Sequence, residues 1–200
     1  MADEKIKYTK TERARQKKIL TVSLRMLPLF EAMEKLLTAT INSTMESIDR
    51  INKSIDQKNK EAKAWIGVLN DLWVSDDLIS VNKVITKPLD VAGVRVQQYQ
   101  SVDFKVMPIE QNTPLWVDDA TVLLQDQLQL MAEIDCLKKQ IELLEEELME
   151  VRARVKLFEN RRIPNAKMAI RKIGQRLQDD ERLTIATAKV VKTKKLEVGL

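Results

Sequence analysis

VAGVRVQQYQ, residues 91–100, interrupts a chain that otherwise reads as helix. On both sides the sequence is charged, rich in Leu, Met, Lys and Glu, and nearly free of glycine. Here Val91, Val94 and Val96 gather around Gly93, and Pro88 and Pro108 fence the region. β-Branched residues in alternation beside a glycine favour extended backbone. The stretch therefore marks a piece of sheet set between two helical arms.

The composition agrees with long arms. Of 200 residues, 44% are apolar and 32% charged, but only 4% are aromatic and four are glycine. A compact fold of this size spends more Gly and Pro on turns. Scarce turn residues and abundant Ala, Glu, Lys, Leu and Arg point instead to helices packed through aliphatic seams. No run of about 18 uncharged apolar residues occurs, so no membrane span is expected. MADEKIKYTK lacks the apolar core of a signal peptide. Cys136, the single cysteine, cannot form an internal disulfide, which fits a reducing, cytoplasmic setting.

Charge is unevenly spread. Residues 1–18 carry seven Lys/Arg against three acids, and residues 161–200 carry eleven against four. The ends are thus +4 and +7, which leaves −7 for the middle of a chain whose total is +4.

Thr9 and Glu12 form a predicted capping box at the start of the first arm, the carboxylate reaching back to the Thr9 amide. Apolar or small residues then recur at 19, 22, 26, 30, 33, 37, 41, 45, 48, 52, 55, 59, 62, 66, 69 and 73, with Asn52 and Asn59 the polar exceptions. The mean step is 3.6, which keeps the stripe on one face of a nearly straight helix. Pro28 lies inside the pattern and predicts a kink.

The second arm opens with Thr113 as N-cap, Pro114 at the first helical position, and Asp118 and Asp119 near the positive end of the dipole. Its seam is Leu130, Ile134, Leu137, Ile141, Leu144, Leu148, Val151, Val155 and Phe158, spaced 3.5 on average. That is the heptad period. Pro164 predicts a bend, after which a looser pattern continues through Met168, Ile170, Ile173 and Leu177.

Two such arms would be about 95 and 120 Å long, against about 30–40 Å for a compact domain of this mass. Neither narrow stripe is stable alone in water. The expected architecture is mainly α: a long antiparallel two-helix coiled-coil hairpin with a small β-hairpin in the connector. Its parts are a first helix over 9–75, a connector over 76–112 and a second helix over 113–196. Both basic ends then meet at one tip. In the connector, Ile79, Val81, Val84, Val94, Val96, Val102, Phe104 and Val106 alternate. Pro88 with Asp90 suggests the turn, and the expected pairing sets 79–86 against roughly 92–98.

Catalytic chemistry is hard to place. There is no histidine, so the usual base and the commonest metal ligand are missing. Gly67, Gly93, Gly174 and Gly199 are too dispersed for a phosphate loop. Glu145, Glu146, Glu147 and Glu150 read as a solvated coiled-coil face, since carboxylates that hold calcium come with an enclosing loop. Cys136 reads as a small packed residue. No catalytic residue, cofactor or metal is expected, and the chain does not read as an enzyme.

Several blocks then read together. AGVRV (92–96), NTPLWVDDA (112–120), RVKLFENRRIP (154–164) and AIRKIGQRLQDDER (169–182) resemble, in order and spacing, the D subunit of V/A-type rotary ATPases. YTKTERARQKKIL (8–20) resembles the family's basic opening, whereas LRMLPLFEAMEKLL (24–37) departs from it. The resemblance implies a central shaft that transmits torque between the catalytic head and a membrane rotor moving protons or sodium ions. It implies as partners the catalytic and regulatory subunits of the head, a small stalk partner called the F subunit, and a funnel-shaped subunit on the rotor ring. The location implied is cytoplasmic, peripheral to the membrane, with no direct insertion. Partner-binding candidates are the basic Lys10, Arg13, Lys17, Lys18, Arg161, Arg162, Arg171, Arg176 and Lys192, and the hairpin residues Val91, Gly93, Val94 and Val96.

Two other classes fit the same outline less well. A prefoldin-like chaperone also joins coiled-coil helices through β-hairpins, but its client-binding tip should be apolar rather than basic. A nucleic-acid-binding coiled coil would use basic ends on phosphates, yet no stacking aromatics are interleaved with them, so no nucleic-acid partner is expected.

Overall fold

A computed structural model describes residues 7–65, 79–106 and 116–197. The elements in order are α1 (Lys10–Trp65), β1 (Ile79–Val91), β2 (Val94–Val106), α2 (Trp116–Leu157), a π-helical turn (Phe158–Arg162) and α3 (Ile163–Glu197). The fold is mainly helical with one two-stranded antiparallel hairpin, as the change of period predicts. Stripe positions 66, 69 and 73, and the Thr113–Pro114 helix start, lie outside the described residues.

Thr9 caps α1: its Oγ1 accepts from the Glu12 amide at 3.1 Å. The other half of the predicted box is absent. The Thr9 amide donates to the Lys7 carbonyl, and the Glu12 carboxylate instead accepts from Gln16 and pairs with Arg15. Two turn-spaced partners on its own helix outcompete the backward reach. α1 runs without a break through Pro28. Pro28 and Leu24, whose carbonyl loses its partner, are both exposed, so water can serve the orphan.

The chain divides into two compact units, one of Met1–Ala32 with Val151–Leu200, the other Met33–Glu150. In the first, Phe30 meets Phe158 edge-on at 5.4 Å, and Arg13 lies against Gly174. Moving 17 residues back along α1 moves 16 forward along its partner, so the helices run antiparallel in register. Val151, Val155, Phe158, Ile163, Ala166, Ala169 and Ile173 form the buried face.

That face corrects the predicted pattern. Met168 is 54% exposed, and Ala166 and Ala169 are buried in its place. The cause is the π turn, in which the Ile163 amide donates to the Phe158 carbonyl, five residues back. The wider turn moves the seam from Phe158 to Ile163. It sits immediately before Pro164, which has no N–H to donate to the preceding turn.

The seam of α1 needs a similar correction. Val22 and Met45 are about half exposed, whereas Ser23 and Thr44 are buried. Thr44 Oγ1 donates to the Thr40 carbonyl at 2.8 Å, so its hydroxyl is satisfied inside its own helix. The structure thus uses small residues where the sequence pattern offered larger ones. In the second unit, Leu37, Ile41 and Leu144 are buried, and Lys58 with Asp126 and Asn59 with Gln127 tie α1 to α2.

The hairpin is longer than expected and turns elsewhere. Ala92 and Gly93 are its loop, with φ of 54° and 89°. Two consecutive positive φ values define a type I′ turn, whose twist suits a two-residue hairpin. The Gly93 amide donates to Asp90 Oδ1 at 2.9 Å. β1 therefore continues through Pro88 to Val91, and residues 79–86 pair with 99–106, not with 92–98. Irregularities at Asn82 and at Gln100 each insert one unpaired residue.

The two basic ends do not coincide along the first unit. With Arg13 facing Gly174, Lys10 falls opposite about residue 177. Every residue from Gln178 to Lys195 is exposed, so Lys189, Lys192, Lys194 and Lys195 lie beyond the start of α1.

Candidate functional site

Pro88 and Gln97 explain how the hairpin is seated. The I′ turn makes Val91/Val94 a hydrogen-bonded pair, and alternation makes Pro88/Gln97 a non-hydrogen-bonded one. The Pro88 nitrogen therefore faces away from β2, and no ladder bond is lost. The same alternation turns the Gln97 carbonyl off the opposite edge. There it accepts from Gln140 Nε2 and from Cys136 Sγ (3.4 Å), both on α2. One edge of the hairpin is thus docked on α2, while the other carries a proline, which suits a strand edge.

Cys136 and Gln140 each sit one residue before an expected seam position, Leu137 and Ile141, and are buried themselves. Burial pushes the Cys136 thiol up, with nearby Lys139 opposing. Burial and then Glu133 raise the Tyr99 phenol. A cavity of about 700 Å³ opens beside this contact, between Val81, Val84 and Thr86 of the hairpin and Leu128, Met131 and Leu143 of α2. Val81, Ile85 and Leu89 are each more than 40% exposed on β1.

The candidate contact residues fall into separate groups. Lys10, Arg13 and Lys17 line one cavity of the first unit, while Lys18 is exposed outside it. Arg161 and Arg162 belong to the π turn, and the Arg162 guanidinium lies 5.0 Å over the Phe158 ring. Arg171 is exposed, and exposed Arg176 pairs with Asp180 at 3.4 Å. Lys192 stands on the exposed end of α3 beside Val191 and Lys195. At the hairpin tip, Gly93 is exposed and Val91 and Val94 are half-buried, but Val96 is 1% exposed and already spent inside the fold. Among the described residues, no group of His, Cys, Asp and Glu is arranged to hold a metal, and no helix is long and apolar enough to cross a membrane.

Sequence reasoning missed the Gln97–Gln140–Cys136 contact and the π turn. A signal for the second was present: the step from Phe158 to the next apolar residue, Ile163, is five positions, with Arg161 and Arg162 where a seam residue was due. The first had none, because a carbonyl's partner is not written in its own side chain.

Residues 12–193 match the family model of the ATP synthase D subunit. The chain belongs to the ATP synthase D-subunit family. Similar proteins agree along nearly their whole length. The V-type ATP synthase D subunit of Borreliella burgdorferi is 32% identical over 191 residues, covering 94% of each chain. That of Chlamydia muridarum is 25% identical over 94% of this chain and 95% of its own. That of Chlamydia pneumoniae is 25% identical over 96% and 94%. The D-subunit match therefore takes in the hairpin and both helical arms together.

Proposed function

We propose that this chain is the central shaft of a V-type ATP synthase, turning with the membrane rotor and carrying torque between ion flow and ATP chemistry in the head. The observation that carries the reading is the D-subunit match over residues 12–193. The paired helices suit the task, because each buries the other's narrow apolar stripe and a helix pair resists twisting better than either helix alone. In this reading the shaft itself performs no catalysis.

The helical arms, 9–75 and 113–196, transmit the torque, and 76–112 is the side element that meets the small stalk partner through Val91, Gly93 and Val94. Lys18, Arg161, Arg162, Arg171, Arg176 and Lys192 are exposed and face the catalytic and regulatory subunits. The funnel-shaped subunit on the rotor ring seats the lower end. The complex holds the shaft at the cytoplasmic side of the membrane without insertion.

Mild affinity purification of the tagged full chain from its own cells tests this. An ATPase head and a small stalk subunit should co-purify with ATP hydrolysis activity. Recovery of unfolded client proteins or nucleic acid, without ATPase, would refute it. Deleting Ile79–Val106 should leave most helical circular dichroism in place while weakening stalk-partner binding or ATP turnover.

A further inference from the structure

Lys10, Arg13 and Lys17 share one face of the first turns of α1, since residues three and four apart stack on a helix. Opposite them α3 presents Gly174, Leu177 and Glu181, and the two sides enclose about 330 Å³. The Arg13 guanidinium lies over Gly174, where an added Cβ would stand 3.5 Å from Nη2. The cation thus rests against α3 at ordinary contact distance.

Two observations bear on what the cavity would take. Arg13 Nε is closed off from solvent and bonded to nothing. None of the ion pairs among the described residues uses Lys10, Arg13, Lys17 or Glu181, although the carboxylate shares the cavity with the cations. No carboxylate among the described residues neutralises the Arg13 guanidinium, whose fork of donors matches a planar pair of oxygens. Three cations against one carboxylate favour an anion. The start of α1 adds the positive end of its dipole.

We infer that this cavity receives the side-chain carboxylate of an Asp or Glu from another subunit of the complex, held by the Arg13 guanidinium and flanked by Lys10 and Lys17. The inference rests on the shaft reading and gives one point of contact its chemistry.

Zero-length carbodiimide cross-linking tests it, because it joins an amine only to a carboxylate already at ion-pair distance. The complex is purified through the tagged full chain, cross-linked, digested and read by mass spectrometry. Lys10 or Lys17 should be joined to an Asp or Glu of another subunit, at a yield that falls several-fold in Arg13→Gln. Cross-links from both lysines confined to this chain, in a complex recovered intact, overturn the inference alone. Saturable binding of inorganic phosphate to the isolated full chain, abolished by Arg13→Gln, overturns it in favour of a small-anion site. Failure to recover other subunits at all removes the shaft reading with it.

Discussion

The Phe30–Phe158 contact is where the antiparallel pairing of the first unit can be measured. Phe158 is 7% exposed, meets Phe30 at 5.4 Å and carries Arg162 on its face at 5.0 Å. Truncating such a buried ring to alanine costs about 3–5 kcal/mol. Phe30 is only half-buried, so Phe30→Ala should cost about half as much, roughly 1.5–2.5 kcal/mol. An edge-to-face pair adds about 0.5–1.5 kcal/mol beyond area, so the double variant should cost less than the sum of the singles by about 1 kcal/mol. Arg162→Gln removes only the exposed cation and should cost about 0.5–1 kcal/mol. The assay is equilibrium urea unfolding of the parent, both phenylalanine singles and their double, with Arg162→Gln alongside, followed by far-ultraviolet circular dichroism. Additivity of the two phenylalanine variants, or a Phe158→Ala cost below about 1 kcal/mol, would refute the pairing.

Four other outcomes are expected. Gly174→Ala should stabilise the chain by about 0.5–1 kcal/mol, because the Arg13 contact at 3.5 Å is ordinary and alanine is the better helix former; a lowered melting temperature would contradict this. Ala92→Asn should slow hydrogen exchange across the hairpin, since asparagine accepts the left-handed φ of 54° at lower cost, by roughly 0.5–1 kcal/mol. Gln140→Leu leaves the Gln97 carbonyl only a thiol donor and should cost about 1–2 kcal/mol, seen as faster hairpin exchange with unchanged helical signal. Burial raises the Cys136 pKa in the folded state, so its stabilisation is complete below the ordinary thiol pKa and is lost as pH rises through the raised one. Alkylation of Cys136 should accordingly need higher pH than a free thiol, and an equal or lower apparent pKa would contradict its seating.

The helical arms were legible because their information is repeated at every turn. Thr9 announced the start of α1, and the 3.5-spaced seam through Leu144, Leu148, Val151, Val155 and Phe158 is buried as its spacing requires. Details that depend on a single geometric choice were less legible. Pro88–Asp90 has turn chemistry, yet Asp90 accepts from Gly93, so its preference serves a turn two residues later. Placing the loop at Ala92–Gly93 slid the pairing of residues 79–86 to 99–106. Ser23 and Thr44 were passed over because a hydrophobic pattern cannot see a small polar residue, such as Thr44, whose hydroxyl is satisfied locally. Among the basic candidates, sequence brought Lys10, Arg13 and Lys17 together because they lie on one helix. It set Lys192 beside them only by assuming helices of matching ends, and α3 runs on past α1.

The π turn at Phe158–Arg162 has a consequence for how the family's sequences can vary in length. A residue inserted into an α-helix rotates everything beyond it by about 100°, which would carry a buried stripe out to solvent. Here the extra residue is taken up within one wide turn, and Ile163, Ala166, Ala169 and Ile173 still face inward. A homologue one residue shorter at this point could close the turn to an ordinary one and keep the same face buried. Elsewhere along the arms, insertions and deletions would be tolerated only in whole turns. Residues 158–162 are thus the one described stretch of the helical arms where a single-residue gap in an alignment need not signal a change of packing.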